Sequence, residues 1–199
     1  MKIERVGIFG GTFNPPHIGH IEAAKSFTKG AMLDKLIIMP AFIPPHKEYK
    51  SSVTCEERLE MCKLAFSDIE KAQISDHEIS RGGTSYTYLT LQEFANDKNE
   101  LYFLCGTDMI LSMDTWKNPD IIFSLATICY IRREIDSNIS NLLESKCEEY
   151  KERFDARIIS IDSDVIDISS SEIRDSINCK IDYLTPDVLD YILKKGLYR

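Results

Sequence analysis

Two histidines, His17 and His20, are the residues of this sequence whose type and spacing most directly suggest chemistry. They stand three positions apart, on one side of a helix that we expect to begin near Ile18. The segment Val6–Phe9 before them is predicted to be a buried strand, and Gly10-Gly11 then permits a sharp turn or close approach to a ligand. A strand, a glycine turn and a helix N-terminus attract anions, because free N–H groups and the helix dipole favour negative charge. Two imidazoles at such a site suggest chemistry on phosphate.

The stretch from Gly10 to His20 lacks both G-x-G-x-x-G and G-K-[ST], the two common phosphate-binding patterns. The alternative interpretation is a tight turn with two surface histidines. The stretch closely resembles the GGTFDPxHxGH signature of the HxGH nucleotidyltransferase superfamily, whose members transfer a nucleoside monophosphate from a nucleoside triphosphate to a phosphate or similar acceptor. Asn14 stands where most of these enzymes have Asp, which keeps a short side chain able to brace a turn but removes a charge.

Composition limits the classes of protein that the chain can represent. The 199 residues, with 43% hydrophobic and 28% charged residues, suit one globular domain. A net charge of −8 disfavours general binding to nucleic acid or anionic membranes. The charged first residues do not fit a signal peptide, and six cysteines without C-x-x-C spacing indicate neither a zinc site nor a disulfide framework. We therefore expect a cytoplasmic protein, with homo-oligomerisation left open.

Strand and helix patterns alternate along the whole chain. This alternation predicts an α/β fold with a Rossmann-like, doubly wound, mostly parallel sheet, in one domain over 1–199 with the C-terminal helices 169–199 packed on it. Strands after the first are predicted at 34–40, 73–79, 101–105, 127–131 and 157–161. Helices are predicted over 18–29, 106–116 and 138–153. One more is predicted to end at Phe94, and others are predicted to begin after Thr54, at Pro119, at Ser169 and at Pro186. Ligands of such sheets bind beyond the carboxyl ends of the strands, where the loops after the strands meet.

A serine-rich segment near residue 170 is the second strong signal. Ser169 and Glu172 are spaced as a capping box, which leaves the amides and hydroxyls of Ser170 and Ser171 free at a helix N-terminus, with Arg174 close by. An ordinary capped helix is the alternative, but three serines and an arginine together suit a triphosphate. The segment resembles the ISSTxIR motif of the same superfamily, with serine in place of threonine at 171.

Two further loops resemble the same enzymes. Pro44-Pro45-His46-Lys47 is similar to the P-P-H-K element of bacterial nicotinate-nucleotide adenylyltransferases, although an exposed turn is the alternative. Gly106-Thr107-Asp108 resembles a G-x-D motif whose Asp contacts the adenosine ribose, and a simple helix cap is the alternative.

The expected acceptor end of the site lies on other loops. The resemblance implies that Trp116, the sole tryptophan, stacks on a pyridine ring, although burial in the core is the commoner fate of tryptophan. It also implies that the turn Arg81–Tyr86 contacts a nicotinate carboxylate. Arg132 and Arg133 are candidates for the acceptor phosphate or are simply solvated.

The resemblance runs from Gly10 to the Y-L-x-P-x-V-x-x-Y-I pattern that begins at Tyr183. It implies that ATP and nicotinate mononucleotide are joined to give deamido-NAD and pyrophosphate, with Mg²⁺ entering with ATP. Related acceptors such as phosphopantetheine or nicotinamide mononucleotide remain alternatives, as do a metallohydrolase and a nucleotide sensor without catalysis.

The resemblance assigns residues to three roles, with none assigned to a protein-held metal. The residues expected to be catalytic are His17, His20, Lys47 and Arg174. The residues expected to bind ATP are Gly10, Gly11, Thr12, Phe13, His17, His20, Gly106, Asp108, Ser169, Ser170, Ser171 and Arg174. The residues expected to bind the acceptor are Asn14, His46, Lys47, Thr84, Ser85, Tyr86, Trp116 and Arg133.

Overall fold

The computed structural model describes residues 2–45, 52–132, 137–164 and 166–198. The strands are β1 (Glu4–Gly11), β2 (Lys35–Pro40), β3 (Ala72–Ile74), β4 (Asn99–Cys105), β5 (Ala126–Arg132) and β6 (Ile158–Asp162). The helices are α1 (Ile18–Gly30), α2 (Cys55–Ala65), α3 (His77–Arg81), α4 (Thr87–Phe94), α5 (Thr107–Ile110), α6 (Pro119–Leu125), α7 (Ser137–Phe154), α8 (Ser170–Asp175) and α9 (Pro186–Lys195). Short 3₁₀ turns lie at Met113–Thr115, Ile177–Cys179 and Ile181–Tyr183.

The strands form one sheet in the order β3-β2-β1-β4-β5-β6, and every pairing between them is parallel. This order is the doubly wound arrangement, in which the chain reverses its direction across the sheet between β1 and β4. The predicted fold class is therefore confirmed. The loops after β1 and β4 diverge at this point, so they leave a crevice at the carboxyl edge of the sheet.

Apolar side chains fill the space on both faces of the sheet. One core contains Phe27 of α1 with Leu36 and Ile38 of β2, and the other contains Ile8 and Phe103 from the sheet. Val188 and Ile192 of α9 are buried in the first of these cores, and α9 packs beside α2. Burying one such side chain stabilises the fold by about 1.5–3 kcal/mol, so both faces fix the strands whose ends carry the loops.

The third strand is shorter than its predicted range of 73–79. β3 pairs only with β2, and its ladder ends where the Ser75 amide donates to the Ile38 carbonyl. Helix α3 begins two residues later, and Ser80 donates through its amide and its hydroxyl to Asp76. The predicted strand was wrong from residue 75 onward, because the chain leaves the sheet there and Asp76 begins a helical turn.

Within the described ranges, no helix has the length and apolar character needed to cross a lipid bilayer.

Candidate active site

A cleft of about 710 Å³ lies in the crevice between the carboxyl ends of β1 and β4. Segments far apart in the sequence line it, because the parallel topology brings the strand ends to one edge. Its walls include the glycines after β1, both histidines of α1, the start of α5 and the start of α8. The loops that carry the sequence motifs therefore converge on one space.

His17 and His20 form a stacked pair at the start of α1. Their ring centroids are 3.7 Å apart with an interplanar angle of 35°. The His17 amide donates to Nδ1 of His20 at 3.2 Å, so a neutral His20 carries its proton on Nε2. The His20 ring also packs edge-on against Phe13, at a centroid distance of 5.0 Å. The predicted pair is thus held in a fixed orientation before any ligand binds.

His17 is the more buried of the two, with 5% of its surface exposed. Burial lowers its pKa to about 4, and the nearby carboxylate of Glu172 opposes this shift only in part. His17 is therefore neutral at physiological pH. Its Nδ1 is buried and has no side-chain hydrogen-bond partner among the described residues.

Two glycines of the motif are required by neighbouring rings. A Cβ on Gly19 would lie 3.1 Å from the His17 imidazole, so glycine lets the ring settle over the first turn of α1. A Cβ on Gly11 would lie 2.8 Å from the Phe13 ring. Gly10 differs, because its nearest neighbour would be Phe103 at an ordinary 3.8 Å. The Cβ position of Gly10 is therefore not crowded, and Gly10 lines the cleft.

Helix α8 is fastened to the loop between β1 and α1. The predicted capping box is confirmed, since Ser169 Oγ accepts from the Glu172 amide and the Glu172 carboxylate accepts from the Ser169 amide. The hydroxyls of Ser170 and Ser171, expected to be free, are both engaged. Ser170 donates to the Pro15 carbonyl at 2.9 Å, and Ser171 accepts from Arg174 at 3.0 Å. These two side chains therefore fix α8 as well as lining the cleft.

Arg174 and Asn14 meet at the same place. Arg174 Nη1 donates to the Asn14 carbonyl at 2.7 Å, and the Asn14 side chain accepts from the Tyr198 hydroxyl at 2.6 Å. Asn14 is only 5% exposed and its side chain braces the loop, but it also lines the cleft, so its expected contact with the acceptor stays a prediction. Arg174 still lines the cleft, and its guanidinium has five N–H donors.

The opposite wall of the cleft is aromatic and carries a carboxylate. Trp116 is 8% exposed, packs edge-on against Phe103 at 6.3 Å, and still lines the cleft. Trp116 is thus both largely buried and part of the cleft wall, so the two positions considered for it from the sequence do not exclude each other. Glu78 of α3 also lines this region, and it accepts a hydrogen bond from the hydroxyl of Thr90.

The turn expected to bind a carboxylate is largely engaged with its own surroundings. The Ser85 amide donates to the Ile43 carbonyl, and the Ser85 hydroxyl accepts from the Phe42 amide. The Tyr86 amide donates to the Thr84 carbonyl, and the Tyr86 ring lies 4.6 Å from the Lys117 ammonium. The amides of Ser85 and Tyr86 are therefore both engaged within the protein. Ser85 lines the cleft, whereas Thr84 and Tyr86 do not.

Arg58 of α2 is a site-supporting residue that sequence reasoning missed. It is fully buried, and its guanidinium donates to the Thr12 carbonyl at 2.7 Å and the Ala41 carbonyl at 2.6 Å. It thereby ties the loop after β1 to the loop after β2. The sequence does contain a signal for this role, because Arg58 lies on the apolar face of α2 together with Cys62, and a charged residue there must be buried with partners.

Three residues expected to bind the acceptor line the cleft: Asn14, Ser85 and Trp116. All twelve residues expected to bind ATP line it as well: Gly10, Gly11, Thr12, Phe13, His17, His20, Gly106, Asp108, Ser169, Ser170, Ser171 and Arg174. Phe13 belongs mainly to the core, so it shapes the loop more than it offers contact. The Asp108 carboxylate folds over Gly106, where a Cβ would lie 2.6 Å from Asp108 Oδ1. His46, Lys47 and Arg133 lie outside the described residues.

Comparison with known proteins is consistent with this geometry. The family model described as cytidylyltransferase-like matches residues 8–176. A protein of Clostridium botulinum named "Probable nicotinate-nucleotide adenylyltransferase" is 38% identical over 99% of this chain and 99% of its own length. One of the same name from Caldicellulosiruptor saccharolyticus is 38% identical over 98% of this chain and 99% of its own length.

A solved structure has the same fold. Plasmodium falciparum nicotinic acid mononucleotide adenylyltransferase, complexed with NaAD, superposes with a TM-score of 0.75 at 21% identity, covering 98% of this chain and 97% of that one. The chain therefore belongs to the cytidylyltransferase-like family and is a nucleotidyltransferase. Within that class its relatives are named nicotinate-nucleotide adenylyltransferases, which confirms the resemblance predicted from the sequence.

Proposed function

We propose that this protein transfers the adenylyl group of ATP to nicotinate mononucleotide, giving deamido-NAD and pyrophosphate. A phosphate oxygen of the mononucleotide attacks the α-phosphorus of ATP. The bond from that phosphorus to the bridging oxygen breaks, and pyrophosphate leaves with the electron pair. No protein nucleophile is required, so catalysis consists of positioning and charge stabilisation.

The observation that carries this proposal is the convergence of the two histidines, the glycine turn, the start of α8 and Trp116 on one cleft. The full-length relatives named as nicotinate-nucleotide adenylyltransferases support the choice of reaction. A metallohydrolase is less well supported, because no group of three His, Cys, Asp or Glu side chains suited to a metal occurs in the described part of the chain.

The histidine side of the cleft would hold the triphosphate. His17 is neutral and buried, so it can donate an N–H to phosphate without first giving up a hydration shell. His20 is oriented by the His17 amide, which donates to its Nδ1, and its ring lines the cleft beside His17. Arg174 would meet the β- and γ-phosphates while its Nη1 keeps the loop in place. Asp108, exposed at the start of α5, would accept hydrogen bonds from ribose hydroxyls.

Trp116 would cover one face of the pyridine ring at the other end. Its pairing with Phe103 fixes the indole, so little rotamer entropy is lost on binding. His46, Lys47 and Arg133 keep their assignment to the acceptor as predictions. Thr84, Ser85 and Tyr86 also keep their assignment to the acceptor as predictions, and of these three Ser85 lines the cleft.

Mg²⁺ would enter with ATP. The ion commonly binds one or two carboxylates together with substrate phosphates and water, which fits a cleft whose polar wall offers single carboxylates such as Asp108 and Asp164. When bound, it neutralises part of the polyphosphate charge.

The proposal is tested by incubating the purified protein with ATP, Mg²⁺ and one acceptor at a time, followed by product identification by mass spectrometry. Nicotinate mononucleotide, nicotinamide mononucleotide and phosphopantetheine form the acceptor panel. We expect deamido-NAD and pyrophosphate in equal amounts, with kcat/KM strongly in favour of the nicotinate compound. Dinucleotide formed equally well from the amide would refute the acceptor assignment, and no adenylylated product from any acceptor would refute the reaction itself.

A further inference from the structure

Tyr198 reaches back from beyond α9 to the loop that carries the first histidine. It stands three positions after the end of α9 at Lys195, and its hydroxyl donates to Asn14 Oδ1 at 2.6 Å. The tyrosine ring packs against the same core that contains Phe13. Residues 184 positions apart in sequence are thus joined beside the cleft.

The backbone next to Asn14 is held from the same side of the molecule. Ser170 donates to the Pro15 carbonyl at 2.9 Å, and Arg174 donates to the Asn14 carbonyl at 2.7 Å. Tyr198, in contrast, donates its hydrogen bond to the Asn14 side chain and not to the backbone. The loop is therefore fixed at two consecutive residues by two separate segments, α8 and the residues after α9.

The chain between Asn14 and His17 is stiff, because both intervening residues are proline and each has a fixed φ. A displacement of Asn14 is consequently expected to displace His17 by a similar amount. Phe13, on the other side, has a φ of 48°, a left-handed value that is unusual for a bulky residue and needs surrounding contacts to persist. The loop thus depends on outside contacts for its conformation, and it ends at the buried imidazole.

We propose that Tyr198 is a positioning residue for His17, acting through Asn14 and the two prolines. This inference rests on the proposed function, in which His17 stabilises charge on the transferred phosphate. It gives Asn14 a structural role in addition to its predicted contact with the acceptor. Asparagine retains the acceptor oxygen that the tyrosine hydroxyl needs at this position.

The first test is Tyr198→Phe, which removes only the hydroxyl. We expect kcat to fall about three- to tenfold, the range for losing one net hydrogen bond to a group that acts in the transition state. The KM for ATP and that for the acceptor should change less than about twofold, because substrate binding does not depend on this bond. The matched control is Tyr191→Phe on α9, a half-buried tyrosine that packs against the same core and should behave as the wild type.

The second test separates positioning from general destabilisation. In a His17→Ala background, Tyr198→Phe should lower the residual kcat no further, because the group that it positions is gone. An equal loss in both backgrounds would overturn the proposal, as would wild-type kcat for Tyr198→Phe or an equal loss for Tyr191→Phe.

A measurement that does not depend on activity keeps this inference distinct from the proposed function. The His17 ring resonances of the free protein should shift in Tyr198→Phe and stay in place in Tyr191→Phe when followed by NMR. If the wild type forms no dinucleotide, the proposed function fails while this spectrum still tests the link between Tyr198 and His17. An unchanged His17 spectrum in Tyr198→Phe would overturn the inference even if the enzyme is active.

Discussion

Replacing Arg58 by methionine tests how the two substrate-side loops are held together. The guanidinium donates to the carbonyls of Thr12 and Ala41 at 2.7 and 2.6 Å, and methionine fills a similar space without any donor. Both carbonyls belong to the backbone, so they remain in place and lose this partner. Each buried acceptor left unsatisfied costs about 1–3 kcal/mol, so the two together give a loss of about 2–6 kcal/mol in the free energy of unfolding.

For a chain of this length, each kcal/mol lowers the melting temperature by about 2–4 °C, so we expect a decrease of about 4–24 °C. Thermal unfolding followed by circular dichroism measures it. The matched control is Arg153→Met, which removes an exposed arginine whose carboxylate partner Glu149 lies 3.9 Å away and should cost little. A melting temperature for Arg58→Met within about 2 °C of that control would refute the assigned role of the buried guanidinium.

Three further predictions concern the cleft itself. His17 should titrate with a pKa of about 4 in an NMR pH series, because burial disfavours its charged form. Histidine in the unfolded chain titrates near 6.5, so the stability that depends on neutral His17 is complete above that pH and is lost progressively as the pH falls toward 4. A folded-state pKa of His17 above 6 would contradict this account. Gly19→Ala should lower kcat about 10- to 100-fold, because the new Cβ displaces the His17 ring, and kinetics equal to the wild type would show that the ring has room to move. Trp116→Ala should weaken binding of the acceptor by about 1–3 kcal/mol and leave binding of ATP unchanged, as measured by binding titrations. A loss of affinity confined to ATP would contradict the placement of the indole at the acceptor end of the cleft.

The sequence pattern predicted the fold well, because strands with buried apolar faces and capped helices leave local signals. The capping boxes at Thr54 and Ser169 are examples, since each depends on residues three positions apart. The error at 73–79 arose where no local signal separates a strand end from a helix start. Residues 75–78 are all polar, which fits a half-exposed strand and a helix start alike, and only the end of pairing with Ile38 separates the two.

The parts of the site that consist of a local motif were predictable from the sequence, whereas contacts between residues far apart in the sequence were not. The stacking of His17 on His20 follows from their spacing on one helix. The bond between Tyr198 and Asn14 has no local signal, because it joins residues 184 positions apart. The engaged hydroxyl of Ser170 was missed for the same reason, since its partner Pro15 lies 155 positions away.

The convergence of the motifs on one cleft is tested most directly by a crystal structure of the protein with the dinucleotide product bound. The account predicts the adenylyl phosphate against His17 and His20, the ribose beside Asp108 and the pyridine ring against Trp116. A product bound with its pyridine ring at the histidines, or outside the cleft altogether, would contradict it.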